Sequence, residues 1–116
     1  MLFRSADVRA ALRASLGEGS LVLCHVSHVY ETGCSLYFTV AARQGDDPLG
    51  QWAAAKAAAS DAIRAAGATI THHHAVGTDH LSWFVQEVGE VGVRVLRAVK
   101  AELDPAGILN PGVLVP

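Results

Sequence analysis

Apolar positions change their spacing several times along the chain, and each change predicts a new element. "SADVRAALRASL" over 5–16 places Val and Leu at helical spacing behind a Ser start, and "GEGS" breaks it. "LVLCHVSHVY" is rich in Val and Leu, which predicts a strand over 20–29. "ETG" reads as a turn and "CSLYFTVAA" as the returning strand of a hairpin. After the loop "RQGDDP", the Ala-rich stretch from Leu49 to Ala66 predicts a helix able to lie close against a sheet, and Gly67 ends it.

"ATIT" (68–71) predicts a short strand leading into three consecutive histidines. Thr78 or Asp79 is the expected cap of a helix through "HLSWFVQEV", with Gly89 and Gly92 interrupting or bending it. Val91, Val95, Val99 and Leu103 then repeat every four residues, while Arg94, Arg97 and Lys100 fall on other sides. Pro105 stops that helix, and "DPAGILNPGVLVP" follows as an extended tail. The order β–β–α–β followed by helices is α+β: an antiparallel hairpin packed by an Ala-rich helix. Two or three strands leave an open sheet edge, which suggests a piece of something larger.

Composition adds bounds. The chain has 116 residues, 51% of them hydrophobic and 17% charged, so it supports a core and argues against disorder. A net charge of −2 without a Lys/Arg cluster gives no footprint for nucleic acid. No apolar run reaches the length of a membrane span; the stretch "MLFRSADVRAAL" lacks a signal peptide's apolar segment, and "GVLVP" is no common address signal. Cys24 and Cys34 lie in neighbouring apolar segments and could face each other, but two thiols make no disulfide framework. Buried thiols and a cytoplasmic location are the expectation.

Candidate chemistry rests on six histidines and two tyrosines. His72, His73 and His74 cannot share one face or one metal while the backbone is regular, since neighbouring side chains diverge on helix and strand alike. His25 and His28 lie three apart on a strand, so they point to opposite faces unless the strand bulges. With no Cys pairs at short spacing, a structural zinc site lacks its usual ligands. His25, His28 and His80 therefore read as hydrogen-bonded or partly exposed polar residues. Tyr30 and Tyr37 flank the hairpin turn; each is either an amphipathic strand residue or, beside an imidazole, a general acid or base. Trp52, Trp83 and Phe84 read as core or interface anchors, and Asn110 as a turn residue before proline. No dinucleotide fingerprint, P-loop or nucleophile elbow occurs.

Taken together, "HVYETGCSLYF", "WAAAKAAASDAIRAAGATITHHHAVG" and "HLSWFVQEVGEVGVRVLRAVKAELDPAGILNPGVL" resemble the C-terminal end of FAD-linked oxidases of the vanillyl-alcohol oxidase and para-cresol methylhydroxylase superfamily. The nearest likeness is to the alkyldihydroxyacetonephosphate synthase branch, and it runs from about Cys24 to Leu114. The resemblance implies Tyr30 as the acid/base beside the flavin. It implies His72, His73 and His74 lining the same pocket, with His73 and His74 catalytic. Tyr37 joins His72 as a substrate-binding residue, and Asn110 lies near the flavin ring. An irregular loop could turn neighbouring imidazoles toward one substrate where a regular strand cannot.

Related 2-hydroxy-acid dehydrogenases are implied to hold a divalent metal with histidines at the places of Tyr30 and Tyr37 and a Glu-His pair at His73–His74. Those ligands are lost here, so no metal is expected. The tail "DPAGILNPGVL", however, looks more like the oxidase group, which keeps a D-lactate- or glycolate-type oxidase as an alternative. On the resemblance, residues 1–116 form a C-terminal cap fragment: 1–19 an atypical helix, 20–76 a β–β–α–β segment, and 77–116 helices and tail returning to the FAD domain. The expected partners are an N-terminal FAD-binding domain absent from these residues and a small-molecule substrate, and a homodimer is compatible with the pattern. The alone-standing fragment should be inactive and hold no FAD tightly. The rival of another class is a free-standing α+β module that binds a metal or a partner through its histidines.

Overall fold

The computed structural model describes residues 2–115, with side-chain surroundings from Ser5 onward. Met1 and Pro116 lie outside the described residues. The chain falls into two compact units, residues 1–68 and 69–116.

The first unit holds helix α1 (Leu2–Leu16), strands β1 (Leu21–Tyr30) and β2 (Gly33–Ala41), and helix α2 (Pro48–Ala65). Its core is built from small side chains at regular spacing. Val8 and Leu12 of α1, four apart, meet Val22 of β1 and Ala55 of α2, all buried. Leu16, Phe38, Val40, Ala59, Ala62 and Ile63 pack around them. Ala55, Ala59, Ala62 and Ile63 follow the i, i+4, i+7, i+8 rule, so the Ala-rich helix presents a smooth face that the core approaches closely.

α2 begins where the sequence is pre-set for it. Pro48 occupies the first turn, and the Asp47 carboxylate accepts the Gly50 N–H at 3.0 Å. Gln51 ties the preceding loop down, donating to the Arg43 carbonyl and accepting from the Gly45 amide, each at 3.1 Å.

β1 and β2 pair antiparallel around a two-residue turn, with Tyr30 opposite Gly33. The ladder is regular from Leu21↔Ala41 to Val26↔Leu36, then shifts so that His28 faces Ser35. Ser27 is the extra residue of a β-bulge.

The second unit holds α3 (Leu81–Leu103) and the segments that flank it. Residues 68–71 form no strand: the backbone bends through 70 and 72–74 instead. The Ile70 amide is bound by the Glu87 carboxylate at 2.9 Å, so it has no strand partner to find. The expected caps Thr78 and Asp79 lie in a turn over 77–80. His80 is the N-cap residue, without a side-chain capping bond. Gly89 does bend the helix, at φ 69° and ψ 176°, a region open only to glycine. Gly92 stays helical.

Among the described residues the class is thus α+β, with three helices and a two-stranded antiparallel sheet. Among the described residues no helix is long and apolar enough to cross a membrane.

Candidate functional site

The bulge decides what the hairpin presents. Cross-strand partners share a face, so the ladder sorts side chains directly. One face carries Val22 with Val40 and Cys24 with Phe38, and it feeds the core. The other carries His25 with Tyr37, His28 with Ser35, and Tyr30 with Gly33. Without the extra residue, His25 and His28 would lie on opposite faces. With it, two imidazoles and two phenols share the face that turns away from the core.

His25, His28 and Tyr30 are exposed and Tyr37 is half-buried. The Ser27 hydroxyl lies 2.8 Å from His28 Nδ1, and the His28 ring runs parallel to that of Tyr30, with centroids 6.5 Å apart and planes 8° apart. His25 and His28 are thus exposed polar residues, His28 hydrogen-bonded, in line with expectation. The sequence signal for the bulge that brings them to one face is Ser27, a small polar residue set where a strict alternation breaks.

The cysteines differ from expectation. Both are free and half-buried rather than buried. They do not face each other, since Cys24 pairs with Phe38 and Cys34 with Val29. Four rungs at about 3.3 Å each set them roughly 13 Å apart, beyond disulfide reach. Burial, opposed by Arg9 and reinforced by Cys34, pushes the Cys24 thiol above its ordinary range.

In the second unit, the histidine loop is anchored on both sides. Ile70 before it and Val76 after it are buried, whereas His72, His73, His74 and Ala75 are exposed. The Thr71 hydroxyl donates to the Ala75 carbonyl at 3.0 Å and closes the loop across the three imidazoles. Ala75 takes a left-handed φ of 65°, which alanine tolerates poorly and which rigid surroundings must hold.

This bent backbone does what a strand cannot. The His72 and His73 rings meet edge to face at 4.7 Å, and His73 and His74 meet at 4.4 Å with planes 60° apart. His72 Nδ1 and His73 Nδ1 are 2.6 Å apart, so one ring donates and the other accepts a shared proton. Such a cluster offers several ring N–H donors on one loop, a donor set suited to an anion.

Asn110 sits in the tail, also left-handed at φ 43°, and its carbonyl accepts the Val113 amide at 3.2 Å. The tail before it is clamped by buried Asp104, which accepts the Ile108 amide at 3.1 Å and the Leu109 amide at 2.9 Å and pairs with Lys100. Lys100 also donates to the Leu109 carbonyl. The Lys100 hydrogen bond, helped by the two amides, holds the Asp104 carboxyl below its ordinary range. Among the site candidates, the structure therefore sets His72, His73 and His74 in one loop, Tyr30 and Tyr37 on one hairpin face, and Asn110 on a fixed tail.

The profile of the family "FAD linked oxidases, C-terminal domain" matches residues 4–114, and the chain belongs to that family. It is 35% identical over 108 residues to an alkyldihydroxyacetonephosphate synthase of Trypanosoma brucei brucei, covering 92% of this chain and 18% of that protein. The synthase of Dictyostelium discoideum is 34% identical over 101 residues, covering 86% of the chain and 16% of that protein. A mitochondrial D-lactate dehydrogenase (cytochrome) of Arabidopsis thaliana matches a shorter stretch, 38% identical over 48 residues, 41% of this chain and 8% of that protein. The chain spans less than a fifth of the length of each of these relatives.

Proposed function

We propose that this chain is the C-terminal cap segment of an FAD-dependent enzyme of the alkyldihydroxyacetonephosphate synthase kind. Its part is to shape the pocket over the flavin. The observation that carries the reading is the exposed, closed loop of three imidazoles, in a chain whose synthase relatives align with it almost end to end.

The donor set suits the ring side of a flavin and an anionic substrate: phenols, imidazoles and an amide that donate hydrogen bonds and carry protons. It does not suit the pyrophosphate. The N-terminus of α2 is already occupied by the Asp47 carboxylate, which would repel a phosphate there. Pyrophosphate and adenine would be held by an N-terminal FAD-binding domain, which the greater length of the relatives supports.

Bound flavin would supply the electron-accepting or adduct chemistry. This chain's residues would do the rest. Tyr30 would pass the proton, His73 and His74 would bind the phosphate or the leaving acid, and Tyr37 and His72 would orient the substrate. Asn110 would face the flavin ring from its clamped tail. No metal enters this scheme.

The four-residue apolar repeat of α3 supports a docked partner domain. Val91, Val95, Val99 and Leu103 are 64%, 57%, 50% and 75% exposed, an apolar stripe that a longer polypeptide would cover. Half-buried free thiols fit a cytoplasmic location, and a homodimer of the intact enzyme is compatible with the same surface. The D-lactate dehydrogenase match supports a second reading, a 2-hydroxy-acid oxidase in which the same groups deprotonate an alcohol.

Expression from the native gene with its full upstream reading frame tests the reading. A purified protein with bound yellow flavin is expected, and a colourless, FAD-free product overturns it. Turnover of an acylated dihydroxyacetone phosphate against a 2-hydroxy acid then separates the two substrates.

A further inference from the structure

We propose that His25 and His28 are positioning residues of the hairpin site, His25 acting on Tyr37 across the ladder and His28 on Tyr30 along the strand. Their functional meaning rests on the proposed roles of Tyr30 and Tyr37; their placement does not. His25 is the cross-strand partner of Tyr37. Such partners carry their Cβ atoms about 5 Å apart, close enough for rings to touch. His28 is two residues before Tyr30, on the same face, with a parallel ring.

The bulge is what unites the two couples. An odd spacing of three between His25 and His28 would place one imidazole against the core and leave one phenol alone. Ser27 absorbs that offset, and its hydroxyl then holds the His28 ring at Nδ1. The cost is one ladder step left unpaired in a sheet of only two strands.

The core of the first unit uses the opposite face, through Val22, Val40 and Phe38. Among the hairpin's own residues, the titratable groups on or beside the imidazoles' face are His25, His28, Tyr30 and Tyr37, with Glu31 in the turn. Cys24 and Cys34 lie on the other face. Imidazoles change charge between about pH 5 and 8, so each can set the local field and the ring orientation of its phenol.

Aromatic NMR of the isotope-labelled 116-residue chain through that pH range tests the assignment. The Tyr37 ring signals are expected to inflect with His25 and those of Tyr30 with His28. H25Q should abolish the Tyr37 inflection alone, and H28Q the Tyr30 inflection alone, with the amide spectrum unchanged. Tyrosine signals that stay flat through both titrations, or inflections that survive both substitutions, overturn the proposal.

If H28Q fails to fold, S27A serves instead: it keeps the imidazole, removes the hydroxyl from beside its Nδ1, and should shrink the Tyr30 inflection. In the intact flavoenzyme, H28Q is expected to lower kcat about 10- to 100-fold at constant flavin content and to displace the acid limb of the pH profile. Normal turnover in Y30F with coupling intact would sink the catalytic reading of Tyr30. Flat tyrosine signals beside an inactive Y30F would sink only the role given to the histidines.

Discussion

His25 and His28 share one face of β1 although three positions separate them, because Ser27 enters the ladder as an extra residue. Deleting Ser27 should therefore leave both flanking registers intact. A regular strand would then carry His25 opposite Tyr37 and His28 opposite Ser35, as now. Cross-strand NOEs for these two pairs check it. A one-residue slip of either pair would mean that the bulge is not a simple insertion.

Tyr30 stands at the last paired position before the turn, half exposed and next to an imidazole. In the intact flavoenzyme, Tyr30→Phe keeps the ring and removes the proton carrier. The expected result is a fall in kcat of about 10²- to 10⁴-fold with flavin content unchanged. Unchanged turnover removes Tyr30 from the chemistry.

The first unit depends on few large side chains, and Val22 is 1% exposed at its centre. Val22→Ala is expected to cost about 2 kcal/mol in denaturant unfolding, from lost burial plus a residual cavity. Val29→Ala, on the same strand but 79% exposed, should stay within about 0.5 kcal/mol.

Much of this architecture is legible in the residues because local signals and tertiary packing agree. The Val/Leu spacing of α1, the hairpin around Glu31–Thr32 and the body of the Ala-rich α2 appear where their sequences point. So does the bend at Gly89. However, α2 starts at Pro48, inside the stretch expected to be loop, behind an Asp47 cap that the spacing did not mark. "ATIT" has strand composition, yet Glu87, seventeen residues away, takes the Ile70 amide, and no local rule anticipates that. Thr78 and Asp79 are good caps in isolation, but the turn over 77–80 begins the helix later. The triple histidine signalled an irregular backbone, since regular ones scatter adjacent side chains. It did not reveal the Thr71–Ala75 closure that holds the loop. Faces were the least legible feature: whether His25 and His28 share one depends on whether the strand bulges, and one inserted serine decides it.

The Asp104 clamp should titrate with a definite sign. Its carboxyl is held below the usual aspartate range by Lys100 and the Leu109 and Ile108 amides. A depressed folded value means that the stabilisation is complete above the unfolded value and is lost as pH falls through the folded one. Tail order around 105–109 is thus expected at neutral pH and should fade only in acid, below about pH 4. Asp104→Asn should bring the looser state to neutral pH, seen as lost protection of the Ile108 and Leu109 amides in hydrogen exchange. Protection unchanged in the variant would mean that other contacts order the tail.

Val95 and Val99 lie at the middle of the exposed α3 stripe, one turn apart. If that stripe is covered in the longer enzyme, charge there should act oppositely in the two settings. In the 116-residue chain, Val95→Lys with Val99→Lys removes apolar surface from water and should reduce self-association in light scattering. In the flavoenzyme, the same pair would bury two unpaired ammonium groups and should lower the melting temperature by several degrees or prevent assembly. Improved solubility of the short chain with an unperturbed flavoenzyme would show that the stripe faces solvent in both, and the docking surface would have to be sought elsewhere on the chain.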